Sequence, residues 1–142
     1  MSIFRNMEIS SSGLSVERMK MELISSNIAN SSTTKTEDGE VYKRKTLTFK
    51  EKYETVINES GQKEKLGSGV KIEKIVEDDS DIRMIYDPSH PDSDENGFVT
   101  MPNVDVLDEI IDMMVATRAY EANVTAFNSS KSMLLKALEI GR

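Results

Sequence analysis

The chain has 142 residues, about one domain's worth at ~150 residues per domain, and only 37% of them are apolar, so the material for a core is thin. Zero cysteines exclude disulfides, thiolate nucleophiles, cysteine-ligated zinc and iron–sulfur clusters, and the single histidine, His90, excludes a two-histidine metal site. A balance of 25 acidic against 18 basic residues, net −7, argues against nucleic acid or an anionic membrane surface as the main partner.

Met7, Leu14, Met21 and Ile28 recur every seven residues, with Ile3 and Ile24 close by, and this period predicts a helix from about Ser2 to Ala29. A second track, Ile9, Val16 and Leu23, lies ~160° around the same helix at ~100° per residue. Two apolar sides ask for contacts on both, as in a bundle interior or an assembly. The run NSSTTKTEDG from Asn30 to Gly39 favours caps and turns and ends the helix.

The middle, residues 31–104, holds 16 acids and 11 bases, which is −5 of the net −7. Val41 to Phe49, Gly69 to Val76 and Ile82 to Tyr86 read as three short strands, and the polar segment Ile57 to Gly69 between them reads as a hairpin tip or loop. The expectation is a small twisted sheet with poor hydrophobic cover.

Beyond Pro102, Asn103 or Asp105 can cap a long helix whose first turns hold Asp108, Glu109 and Asp112, matching the positive end of the helix dipole. Positions 106, 110, 113, 117, 120, 124, 127, 131, 134 and 138 step by fours and threes. Eight of these ten are apolar: Val106, Ile110, Met113, Tyr120, Val124, Phe127, Leu134 and Leu138. The exceptions are Thr117 and Lys131, and Gly141 is placed to end the helix. A seam this long predicts coiled-coil packing. Eight seam side chains do not offset the entropy of ordering so long a helix, so the terminal helices are expected to be weakly ordered in a free subunit and rigid once neighbours pack on them. The fold class is α+β, with long N- and C-terminal helices paired as a coiled coil around a small β-rich middle segment. Its parts are residues 1–30, 31–104 and 105–142.

Few segments suggest chemistry. Asp92-Ser-Asp94-Glu-Asn96-Gly97 opens like an EF-hand loop, but Asn103 stands where the bidentate glutamate belongs, and Pro91 and Pro102 leave no entering helix. An Asx and glycine turn accounts for the same residues. Asp87, His90, Asp92 and Asp94 read better as a rigid proline-bounded turn than as a metal cluster. A triad around His90 would need a nucleophile elbow, and no G-x-S-x-G occurs. The reading is therefore no enzyme, no catalytic residues, no cofactor and no metal. A soluble coiled-coil adaptor or calcium-responsive binding module is the alternative.

Three blocks go beyond generic packing: SSGLSVERMKMELISSNIANSSTT (Ser11 to Thr34), DPSHPDSDENGFVTMPNVD (Asp87 to Asp105) and MMVATRAYEANVTAFNSSKSML (Met113 to Leu134). The first resembles the signature shared by the bacterial flagellar rod and hook axial proteins, through Arg18, Asn27, Asn30 and Thr33. The second, with Asp87, Pro88, His90, Pro91, Pro102 and Asn103, is similar to one proximal-rod branch of that family. Arg118, Tyr120 and Asn123 in R-A-Y-E-A-N complete the match. The resemblance implies a structural subunit of the basal-body proximal rod, a torque-transmitting drive shaft built through the terminal helices. Implied partners are FlgB-like and FlgF-like rod subunits, a FliE-like rod-to-ring junction protein, neighbouring copies of the chain, and the flagellar type III export apparatus. Export without a cleaved signal peptide into the cell envelope, with no membrane insertion and no nucleic acid, is implied as well. In this picture Met7, Leu14, Met21 and Ile28 join the C-terminal seam residues in subunit packing. Asn27, Asn30 and Thr33 end the first helix, and the Asp87 to Asn103 segment forms a proline-stiffened bracket leading into the second.

Overall fold

The computed structural model describes residues 3–57 and 62–141. Helix α1, Ile3–Ala29, follows the apolar period to its end, where the last turn tightens: Asn30 N donates to Ser26 O at 3.0 Å and Ser31 N to Ile28 O at 3.2 Å. Helix α2, Val106–Ile140, is capped by Asp105, whose Oδ1 accepts from Leu107 N at 2.9 Å. Gly141 closes its far end by donating to Ala137 O at 3.2 Å. At ~1.5 Å per residue its 35 residues reach roughly 50 Å. No described helix is long and apolar enough to cross a membrane.

Four strands lie between the helices. Strands β1, Lys45–Ile57, and β2, Lys63–Glu77, form one two-stranded sheet. Strands β3, Arg83–Tyr86, and β4, Phe98–Met101, form a second, antiparallel with Arg83 opposite Met101 and Tyr86 opposite Phe98. The two long helices pack together beside these small sheets, so the arrangement is α+β.

Two strand expectations need correction, and one strand was not expected. Val41 to Arg44 is not strand, because Tyr42 turns inward to a buried hydrogen bond instead of alternating. The expected loop from Ile57 to Gly69 is already strand from Lys63 onward, held by ladder bonds to β1 with both faces largely solvated, while residues 58–61 lie outside the described residues. Strand β4, F-V-T-M, is too short to show a strand's alternation and is fixed by its pairing with β3.

The chain forms two compact units. The first contains residues up to 19, 48–74 and from 115 on, and its most buried side chains are small: Ser10, Val16, Ser68, Ala116 and Ser130. There Arg5 donates to Gly67 O through Nη2 at 2.7 Å, and Ser12 Oγ accepts from Val70 N at 3.0 Å. Gly13 lies so close to α2 that an added Cβ would sit 3.0 Å from Asn123 Oδ1. The second unit contains residues 20–47 and 75–114 and buries Ile24, Asn27, Tyr42, Val99, Pro102, Val104 and Glu109. A carboxylate and an amide therefore stand in the middle of the larger-residue core.

Candidate assembly surface

Burial along α2 marks the side turned to its own chain. Glu109, Met113, Ala116, Tyr120, Asn123, Phe127, Ser130 and Leu134 are buried or half-buried and step by fours and threes. This seam shares Met113, Tyr120, Phe127 and Leu134 with the apolar series expected from sequence. Its other members are small or polar, which is why hydrophobic periodicity alone missed them. Val106, Ile110 and Leu138 are exposed in the single chain, and Val124 is half-buried. On α1, Met7, Leu14, Met21 and Ile28 are half-buried, Val16 is buried, and Ile9 is 40% exposed.

The first turns of α2 carry a second apolar face. Val106, Leu107, Ile110, Ile111 and Met114 are all exposed, Leu107 by 66% and Met114 by 57%. At ~100° per residue they span about 140° on the side away from Glu109. Farther along, the same side turns polar through Thr117, Arg118, Glu121 and Thr125, so the apolar outer face is a bounded patch. Exposed contiguous apolar surface of this kind is a candidate interaction surface. Arg118 itself is exposed and donates to Glu121 at 2.9 Å.

Beneath that patch a polar hub anchors the start of α2. Asn27 is 1% exposed and uses its whole amide: Nδ2 donates to Lys45 O at 2.9 Å and to Glu109 Oε2 at 3.0 Å, and Oδ1 accepts from Tyr42 Oη and Lys45 N, both at 2.9 Å. Glu109, fully buried, also accepts from Arg44 Nε at 2.6 Å. Arg44 extends to Asp112 Oδ2 at 3.2 Å, and although partial burial opposes its charge, the hydrogen bond to Glu109 raises its pKa overall. Asn103 adds a tie, with Oδ1 accepting from Arg44 N at 2.8 Å and Nδ2 donating to Asp78 O at 2.8 Å. Glu109, expected as a helix-dipole charge, is thus spent on Asn27 and Arg44. Sequence reasoning missed Arg44 and Tyr42 altogether. An arginine two residues from a tyrosine, on a face of an apparent strand otherwise made of threonines, was the available signal.

The other motif residues shape the loops of this unit. Asn30 Nδ2 donates to Ser26 O at 2.9 Å, and its Oδ1 accepts from Thr33 Oγ1 at 3.2 Å, which closes the helix exit. Asp87 accepts from Ser89 Oγ at 2.6 Å and Ser89 N at 3.1 Å, and these bonds lower its pKa. His90 Nδ1 accepts from Asp92 N at 3.1 Å. Asp92 accepts from Lys35 Nζ at 2.6 Å and Thr34 Oγ1 at 2.7 Å, and Lys35 first, then Thr34, lowers its pKa. Asp94 Oδ1 accepts from Asn96 N and Phe98 N at 2.9 and 2.8 Å, with Gly97 at φ +81° against Tyr86 and Pro88. These carboxylates build an Asx turn and a tie to the helix exit. Pro102, beside Asn103, is among the most buried side chains. Among the described residues no group of acidic or histidine side chains is arranged to hold a metal ion.

Two protein-family descriptions match the chain. "Flagella basal body rod protein" covers residues 7–35, which is most of α1 and its exit turn, and "Flagellar basal body rod FlgEFG protein C-terminal" covers residues 95–140, which is β4, the cap and α2. The class is therefore that of the structural rod subunits of the bacterial flagellar basal body. Flagellar basal-body rod protein FlgC of Bacillus subtilis is 43% identical over 150 aligned positions that cover all of both chains. FlgC of Borreliella burgdorferi is 40% identical over 99% of this chain and 98% of its own, and FlgC of Salmonella typhimurium is 34% identical over the whole of both. The chain belongs to the FlgC family of flagellar basal-body rod proteins.

Proposed function

We propose that this chain is a non-enzymatic building block of the proximal rod whose terminal helices complete their packing on neighbouring subunits and so turn a set of marginal cores into a stiff, torque-bearing tube. The observation that carries the reading is the bounded outer face of Val106, Leu107, Ile110, Ile111 and Met114, which leaves five large apolar side chains in water in a chain with few to spare. Met7, Leu14, Met21 and Ile28, each half-buried, supply further surface for such contacts. The neighbours we infer are further copies and FlgB-like and FlgF-like rod subunits, with a FliE-like protein at the junction to the ring. Delivery to the periplasmic side of the envelope would run through the flagellar type III apparatus without a cleaved signal.

Replacing Leu107 and Ile111 by glutamate tests this in a motile host that lacks its own copy. Charging exposed positions should leave the isolated chain's melting temperature within a few degrees of the parent while motility and rod formation are lost. Normal rods built from the double variant would overturn the reading.

A further inference from the structure

The seam of α2 repeats itself every heptad. Met113, Tyr120, Phe127 and Leu134 form one track, and Glu109, Ala116, Asn123 and Ser130 the other. Sliding α2 along α1 by seven residues, ~10.5 Å at ~1.5 Å per residue, would replace large apolar groups by large apolar groups and Asn123 opposite Gly13 by Ala116 or Ser130. Packing of this kind discriminates weakly between registers, as in a coiled coil with uniform heptads. A competing register even has an ionic reward, because Lys20 stands seven residues before Asn27 and would meet Glu109.

The two close pairs, Asn27 with Glu109 and Gly13 with Asn123, belong to one antiparallel register, since each sums to the same residue number. What separates this register from its neighbours is polar. Glu109 is the charged member of its track, and both it and Asn27 are buried. A slip of α2 would carry Glu109 away from Asn27 Nδ2 and Arg44 Nε, leaving a buried carboxylate and a buried amide hydrogen without these partners. Arg44 binds Glu109 and Asp112 one turn apart, so it reads axial position as well.

We propose that Asn27, Arg44 and Glu109 form a register lock: positioning residues that select one axial alignment of α1 with α2 among heptad-related alternatives. The consequence for assembly, that the outer face of α2 is presented at a set height, rests on the rod reading; the lock itself does not.

The cysteine-free chain permits a direct test on purified protein. Cysteine replaces Gly13 and one of Ala116, Asn123 or Ser130, with Asn123→Ala added in the 116 and 130 arms to relieve crowding, and mild oxidation reports the register. In the parent background, crosslinking should be confined to 13–123. With Asn27→Leu and Arg44→Met it should move to 13–116, the register that pairs Lys20 with Glu109. Adding Glu109→Leu removes the stranded charge and should spread crosslinks over all three arms, while Glu109→Gln alone, which keeps one carbonyl acceptor, leaves Asn27 and Arg44 in place and offers Lys20 no charge, should stay at 13–123. Crosslinking confined to 13–123 in both the double and the triple variant overturns the lock, and the triple variant decides if the double one does not fold. Rod assembly plays no part in this readout, so its outcome is separate from that of the motility test.

Discussion

Asn27 and Glu109 stand 82 residues apart in sequence and share a 3.0 Å hydrogen bond with almost no access to water. The bond joins the last turn of α1 to the first turn of α2, and Arg44, from the start of the middle segment, completes it. The part of this chain with the largest buried side chains is thus closed by polar groups, each of them satisfied. Burying such groups contributes little net stability when all bonds are made, but breaking one member leaves the others desolvated and unpaired.

Asn27→Ala should therefore destabilise far more than loss of one side chain's contacts. Two donors and two acceptors lose their partner at once, and a cost of about 2–4 kcal/mol is expected. Urea unfolding followed by circular dichroism checks this through the midpoint at unchanged slope. Leu107→Ala on the exposed face serves as the comparison and should shift the midpoint by about 0.5 kcal/mol or less.

Gly69 and Gly39 separate steric overlap from conformational cost. Both have positive φ, +115° and +80°, but a Cβ at Gly39 meets nothing within 4 Å, whereas one at Gly69 would overlap Ser12 Oγ, the acceptor of Val70 N. Gly39→Ala should cost about 1 kcal/mol, the ordinary penalty for a side chain in that region. Gly69→Ala should cost more, about 2–3 kcal/mol, because Ser12 must give way as well. Equal midpoint shifts in the two variants would contradict the close approach of α1 to β2.

Acid should loosen the second unit from its loops. Lys35 and then Thr34 hold the Asp92 carboxyl below its usual range; Arg83 and then the amides of Leu107 and Asp108 do the same for Asp105. A carboxylate depressed in the folded state contributes stability above its unfolded value, about 3.9, and loses it as pH falls through the lower folded value. The melting temperature should thus fall on acidification below about pH 4, with a shallower fall in Asp92→Asn and Asp105→Asn. Asparagine caps a helix as well as aspartate does, so the Asp105 variant isolates the charge.

How much of this is legible in the amino-acid sequence differs by element. The long helices are readable because only a helix gathers a seven-residue apolar period, sustained over several heptads, onto one side. Their family blocks are readable because Asn27, Asn30 and the Asp87 to Asn103 run combine residues that packing alone does not require. Only half of the inner seam is readable, through Met113, Tyr120, Phe127 and Leu134; Ala116, Asn123 and Ser130 are small or polar, and it is their size, not their hydrophobicity, that admits α1. The first half of β2, K-E-K-L, carries a strand's hydrogen bonds without a strand's pattern, since neither face is fully covered. Arg44 and Tyr42 look like alternating strand positions because their partners lie on the helices, and Glu109 stands far along the chain.

The far end of α2 shows what a neighbour would change. From Lys131 to Ile140 every residue except Leu134 is exposed, including Met133, Leu135, Leu138 and Ile140. Helical hydrogen bonds with so little apolar cover open easily, and local opening governs amide exchange. In free chain, amides of 131–140 should exchange within seconds, those of 109–116 orders of magnitude more slowly, and circular dichroism should show less helix than 27 and 35 residues fully formed would give. In isolated rods the same terminal amides should become protected, because Leu135 and Leu138 gain the cover they lack in the single chain. Protection of 131–140 in a monodisperse monomer, equal to that of the first turns, would count against coupled folding and assembly.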